Sequence, residues 1–196
     1  MKKFSLTVIV CAALVFTGCK NNKTDDTDNI TDLETTGTDR ALQSNESKKL
    51  TLALEPKSGS NLSGNVVFTE ENGEVTITAV IDGLSEGMHA IHLHESADCS
   101  AEDGSSAGGH WNPTREKHGK WGATDGYHRG DIGNFKVDAN GNGTITMTTD
   151  QWCIGCDDSN KNIIGKSVVV HDGVDDFTSQ PAGDAGTRVG CGSIRE

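Results

Sequence analysis

The sequence predicts an all-β domain of eight short antiparallel strands, arranged as a sandwich or a barrel. Three observations predict it. From Lys48 onward, short runs of alternating or β-branched residues recur between turn signals. No segment of that stretch reads as a long helix. Two segments, 96–133 and 172–186, are long and irregular, and structureless loops of such length inside one domain are usually functional.

The strands follow in order. Leu50, Leu52 and Leu54 alternate with Thr51, Ala53 and Glu55, which puts the leucines on one face. Asn65 to Thr69 is a β-branched and aromatic run. Glu71-Asn72-Gly73 is a hairpin turn signal, and Val75, Ile77, Ala79 and Ile81 alternate after it. Met88 to Glu95 forms a fourth strand. Phe135 to Val137 and Ile145 to Met147 flank the turn Asn140-Gly141-Asn142-Gly143. Ser167 to His171 and Thr187 to Cys191 complete the eight.

The segment before Lys48 reads differently. Met1-Lys2-Lys3 is basic, Phe4 to Thr17 is almost wholly apolar, and Phe16-Thr17-Gly18-Cys19 ends the run. The run is too short for a transmembrane helix and reads as an export signal over residues 1–18. Its end resembles a bacterial lipoprotein box, which implies acylation of Cys19 and a lipid anchor in a bacterial membrane, on the periplasmic face or the cell surface. Lys20 is not the Asp associated with inner-membrane retention, which favours an outer membrane where the cell has one. Residues 19–47 are polar with few apolar side chains, so they read as a disordered tether. The folded domain is then 48–196, a length suited to one core.

Charge and cysteines fit export. The formal net charge is −12, and loss of Lys2 and Lys3 with the leader takes it to −14. So acidic a chain is no partner for nucleic acid. With Cys11 in the leader and Cys19 acylated, Cys99, Cys153, Cys156 and Cys191 remain, an even number suited to two disulfides in an oxidising compartment.

The chain is organised around Met88 to Asp131. His89, His92 and His94 lie on the fourth strand, and a period of two puts His92 and His94 on one face and His89 on the other. Two imidazoles side by side on a strand are a preformed pair of metal ligands. The next loop adds His110, His118, His128 and Asp131 at irregular spacing, which points to a metal that orders the loop. His92, His94 and the distant His171 make an all-nitrogen set suited to Cu(II). His118, His128 and Asp131, with one more imidazole, make a closed set suited to Zn(II). His110 lies between the groups and serves either, or both as an imidazolate. A closed zinc set argues against a zinc hydrolase, which needs an open position.

At these residues the sequence resembles the copper/zinc superoxide dismutases. The matching stretches are Gly87 to Glu95 (GMHAIHLHE), Gly108 to Pro113 (GGHWNP), Lys117-His118-Gly119, His128 to Asn134 (HRGDIGN), Ile163 to His171 (IIGKSVVVH), Asp175-Asp176, and Gly183 to Gly192 (GDAGTRVGCG). The stretches follow one another in the family's order, and the resemblance covers roughly residues 49–195. The resemblance implies a Greek-key fold, one copper ion and one zinc ion per chain, and dismutation of superoxide to dioxygen and hydrogen peroxide. It implies copper on His92, His94, His110 and His171, and zinc on His110, His118, His128 and Asp131. It implies that Asp175 links a copper-side histidine to a zinc-side histidine. It implies that Arg188 attracts and positions superoxide, and that His110 parts from copper on reduction, gains a proton and delivers it. It also implies a Cys99–Cys191 disulfide, whose long loop is worth roughly 4–5 kcal/mol in the chain-entropy model.

Other residues invite plainer readings. His89 is expected to be structural and bonded to backbone. Trp111, Trp121 and Trp152 are expected to pack loops. Cys153-Ile154-Gly155-Cys156 departs from familiar members of the family. It admits thiol redox chemistry, a Cu(I) acquisition site, or a local disulfide, and export favours the disulfide. The rival function is a non-enzymatic copper- or zinc-binding or copper-delivery protein on the same fold. A homodimer is left open.

Overall fold

Eight strands form where the alternating runs stand. They are β1 (Lys48–Pro56), β2 (Ser63–Glu71), β3 (Glu74–Asp82), β4 (Gly87–His94), β5 (Gly133–Val137), β6 (Gly143–Thr149), β7 (Ser167–His171) and β8 (Arg188–Ser193). The structure is a computed structural model and describes residues 47–196. The expected leader, Cys19 and the tether lie outside the described residues.

All pairings among these strands are antiparallel, and the strands close into a barrel in the order β1-β2-β3-β6-β5-β4-β7-β8. The β1–β8 pairing, Glu55 with Cys191 and Pro56 with Gly190, shuts it. From β3 the chain passes over two strand positions to enter β4, and from β6 it passes back to enter β7. These two crossings are the Greek key. Closure leaves no open sheet edge.

Alternation fills the interior. Val66, Phe68, Val75, Ile77, Ala79 and Ile81 are fully buried, and β4 and β7 add Ile91, Leu93, Val168 and Val170. On the outer wall, Thr76 pairs with Thr148 and Thr78 with Thr146 through their hydroxyls, at 2.8 and 3.2 Å. β4 and β7 break this pattern of one wet face. From His89 onward every residue of β4 is buried, and all of β7 is. Their odd–even phase sends Ile91 and Leu93 into the core, while His92 and His94 point outward beneath loops.

Three connections supply that cover and its supports: 95–132, 150–166 and 172–187. The first holds only a short 3-10 turn, Ser105–Ala107. The second is a long loop beyond the two expected, and it is anchored by Trp152, which is 1% exposed. The indole packs edge-on to Phe68 (6.3 Å between centroids) and to Trp121 (5.6 Å). Its Nε1–H donates to Arg129 O at 2.8 Å, next to His128. Trp152 therefore joins core, second loop and first loop. Trp152→Ala should lower the unfolding free energy by about 3–5 kcal/mol, read by denaturant titration. It should also raise amide exchange around Arg129.

Candidate metal centre

The strands set the first ligands. His92 and His94 leave β4 two residues apart on its outer side, and β7 pairs beside it through His92–Val169 and Ile91–Val170. That register carries His171, at the end of β7, to the same patch of wall. The loop 95–132 folds back so that His110 bridges to His94 as an isolated β-bridge. Ring centroids of His92 and His110 are 4.0 Å apart, His94 and His110 5.0 Å, and His92 and His171 5.1 Å.

Two ligand sets result. His92, His94, His110 and His171 bring four ligand atoms within 4.8 Å of one another, and so do His110, His118, His128 and Asp131. His110 belongs to both. All seven side chains are buried. The ring nitrogens show that the sets fit metal ions. His92 Nδ1, His94 Nε2, His110 Nε2 and His171 Nε2 are buried and make no hydrogen bond, and the buried His118 Nδ1 and His128 Nδ1 face the Asp131 carboxylate at 3.1 and 3.2 Å. Buried polar atoms without partners are rare, and here they all face inward on one another.

The opposite nitrogens of His92, His94, His110, His118 and His171 have partners. His94 Nδ1 lies 2.9 Å from Gly108 O, and His171 Nδ1 3.2 Å from Gly186 O. Asp175 spans the two sets, with Oδ2 2.9 Å from His92 Nε2 and Oδ1 2.9 Å from His118 Nε2. A partner on the far nitrogen fixes tautomer and ring orientation. In the second set, Asp131 Oδ1 lies 2.8 Å from His110 Nδ1, and its Oδ2 accepts from the His128 and Gly119 amides at 2.7 and 3.1 Å.

Electrostatics divides the sets. Burial, with repulsion from His92, pushes His171 down to about 3. Burial pushes His110 down to about 4, against the pull of Asp131. Burial and the neighbouring His110 hold His94 well below its ordinary value. These imidazoles are neutral at pH 7 and their lone pairs are available. For His118 burial acts downward too, but Asp131 and Asp175 outweigh it and lift the ring to about 9. Burial would raise Asp131, yet its contacts to His110, His118 and His128 hold it far below the usual carboxylate range.

Several supports have no signature in residue spacing. Asn134 clasps the Asp175 backbone, its Nδ2 donating to Asp175 O and its Oδ1 accepting from Asp175 N, both at 2.8 Å. Gln180 does the same for His118, at 2.9 and 3.0 Å. Gly183 has φ +74°, and a Cβ there would collide with Asp175 Oδ1 and His118 Nε2. Only glycine fits beside that contact. His89 sits apart from both sets, with Nδ1 3.1 Å from His171 O and Nε2 2.9 Å from Ser85 O.

Arg188 opens β8 opposite His171. Its Nη1 donates to Gly104 O at 2.7 Å and its Nη2 to Gly108 O at 2.8 Å. Gly108 O also faces His94 Nδ1, so one carbonyl locates both the guanidinium and a ligand ring. Cys99–Cys191 fastens the same loop to β8, and a second disulfide joins Cys153 and Cys156.

The family model for copper/zinc superoxide dismutase matches residues 62–194. The chain belongs to the copper/zinc superoxide dismutase family. Its relatives include a superoxide dismutase [Cu-Zn] 5 of Dictyostelium discoideum, 35% identical over 69% of this chain and 91% of that protein. They also include the copper chaperone for superoxide dismutase of Rattus norvegicus, 35% identical over 83% of this chain. The match spans only 60% of that chaperone. Among solved structures, a double mutant of a SOD-like protein from Bacillus subtilis superposes with a TM-score of 0.66 at 28% identity, over 74% of this chain and 97% of the other. The clock protein EA4 gives 0.65 at 32% identity, over 74% and 92%.

Two measurements test this geometry. Asp175→Ala should weaken metal binding by about 10–100-fold without removing a ligand, read by competition with a chelator. Asp131→Ala should empty the second set and raise amide exchange across 96–133. Unchanged protection there would mean that the disulfide alone orders the loop.

Proposed function

We propose that the chain is an exported superoxide dismutase that converts two superoxide anions and two protons to dioxygen and hydrogen peroxide. The observation that carries this reading is the pair of buried ligand sets sharing His110, with Arg188 pinned beside the first. On this reading one copper ion sits on His92, His94, His110 and His171, and one zinc ion on His110, His118, His128 and Asp131. When bound, copper supplies a one-electron redox couple and zinc a fixed positive charge.

The chain's own residues do the rest. Arg188 attracts the anion and orients it. Gly104 O and Gly108 O take two of its five donors and leave others for a small anion. His110 is the residue placed to carry a proton. Its Nδ1 faces Asp131, so a proton it holds on the reacting side sits at Nε2, among His92, His94 and His171. Asp175 keeps the His92 and His118 rings in register.

The second reading is a copper-delivery protein, and the copper chaperone among the relatives favours it. Retention of four imidazoles and the arginine supports the enzyme. Protein loaded with both metals should consume superoxide, measured by pulse radiolysis. Full metal content without superoxide loss would leave the delivery reading standing.

The N-terminal segment extends the proposal to a lipid anchor at Cys19 in a bacterial membrane. Fatty-acid labelling that vanishes in Cys19→Ser is the check.

Steering gives a further test. The net charge of −12 repels the substrate on average, and the loop from Asp172 to Thr187 carries Asp172, Asp175, Asp176 and Asp184 but no Lys or Arg. Local cations act within roughly 8 Å at physiological salt, so Arg188 can outweigh a remote acidic surface. Arg188→Ala should lower the bimolecular rate about tenfold with both metals retained, and Arg188→Glu should lower it further. The native rate should fall as salt rises. A rise would show the acidic surface in control.

A further inference from the structure

The two disulfides of the described domain are built differently. Cys99–Cys191 spans 92 residues, and its cysteines are 8% and 0% exposed. Cys153–Cys156 spans three. Cys153 is buried, Cys156 is partly exposed, and Gly155 between them is exposed.

The segment around Cys153–Cys156 holds its shape by hydrogen bonds. Cys153 N donates to Lys161 O at 2.8 Å, and Ile163 N to Cys153 O at 3.1 Å. Asn162 grips the other cysteine: its Oδ1 accepts from Gly155 N at 3.1 Å and its Nδ2 donates to Cys156 O at 2.9 Å. Ile154 is buried, its N–H donates to Glu70 Oε2 at 2.9 Å, and Lys48 Nζ donates to its carbonyl at 2.7 Å. None of these bonds involves sulfur. They do not depend on the S–S bond, so they can hold the two thiols within reach of each other when it is reduced.

The surroundings are acidic. Asp157 and Asp158 follow Cys156 and are exposed. Glu196 Oε1 lies 3.0 Å from the position of a Cβ on Gly155. Of the nearby cations, Lys48 is paired with Glu70 at 3.8 Å, and Lys161 Nζ donates to the backbone Asp150 O at 2.9 Å and keeps its charge, so Asp157, Asp158 and Glu196 outnumber it.

We propose that Cys153–Cys156 is a reversible thiol–disulfide exchange site, separate from the metal centre, whose partners are cationic or neutral thiols. A thiolate attacks Sγ of Cys156, the more exposed of the two cysteines, the S–S bond breaks, and Cys153 leaves as a thiolate that takes a proton from water. A second thiolate attacks the external sulfur of the mixed disulfide and releases a small disulfide. Cys156 departs as a thiolate and is protonated. The pair gains two electrons and the two thiols lose two. A cationic or neutral disulfide runs the sequence backwards. The carboxylates at the entrance repel anionic thiols.

The test uses the full metal-loaded chain and three small thiols: cysteamine (cationic), mercaptoethanol (neutral) and mercaptoethanesulfonate (anionic), at equal thiolate concentration. Alkylation and peptide mass mapping read Cys153, Cys156, Cys99 and Cys191 separately. Cys153–Cys156 should open at least about tenfold faster than Cys99–Cys191, fastest with cysteamine and slowest with mercaptoethanesulfonate. The spread should narrow as salt rises, and cystamine should close the pair again. Amide protection over 150–166 should be unchanged on opening. Opening of Cys99–Cys191 first, or loss of protection over 150–166, overturns the proposal by making the bridge structural. Equal rates for the three thiols overturn the charge selectivity. Asn162→Ala should slow reclosure several-fold, and an unchanged rate refutes the preorganisation on which the proposal stands.

Discussion

One carboxylate connects the parts of this molecule that chain connectivity keeps apart. Asp175 touches His92, 83 residues earlier on a strand, and His118, 57 residues earlier in a loop. It does so from a third element, the loop after β7. Each contact is buried, so each is electrostatically strong and costly to leave unmade. The carboxylate is itself positioned by Asn134 at the start of β5 and tolerated by the missing side chain of Gly183. Strand, first loop and last loop are thereby held to one another through a single side chain.

The barrel makes this possible by giving part of the site the frame of a closed sheet. His92, His94 and His171 stand on the outer wall of strands whose inner faces, Ile91, Leu93 and Val170, are locked in the core. The first ligand set therefore inherits the register of a closed sheet. The second set has no such frame. His118 and His128 depend on Asp131, Asp175, the Gln180 clasp and Trp152 behind Arg129. The pKa pattern follows the same division. Burial among other imidazoles keeps His94 and His171 neutral, while paired carboxylates draw a proton to His118.

The long loops also divide the tasks of their disulfides. Cys99–Cys191 ties the loop that holds Gly104 and Gly108, the two carbonyls on Arg188, to the strand that bears Arg188. Its covalent constraint acts on the placement of Arg188. Cys153–Cys156 closes a segment that Asn162, Lys161 and Ile163 already shape, so its sulfurs are free of that burden.

Alternation and turn chemistry made the eight strands legible, because a side-chain period of two is a local property. Residue type made the candidate ligands legible: His-x-His on a strand and a glycine-rich loop with three more imidazoles and Asp131 have few other uses in such a pattern. The resemblance in motif order pointed to Asp175, Arg188 and the long disulfide. Asn134, Gly183 and Gly108 lie in the matching stretches, but nothing local gave a role to them or to Gln180, since each acts through a contact with residues far along the chain. Nor did spacing say that β4 and β7 would be buried on both faces, because the loops that cover them fold over only once the barrel has closed. Trp152 shows the same limit. Its size announced a packing role, but the partners that make it a strut between core and ligand loop, Phe68, Trp121 and Arg129, meet only in three dimensions.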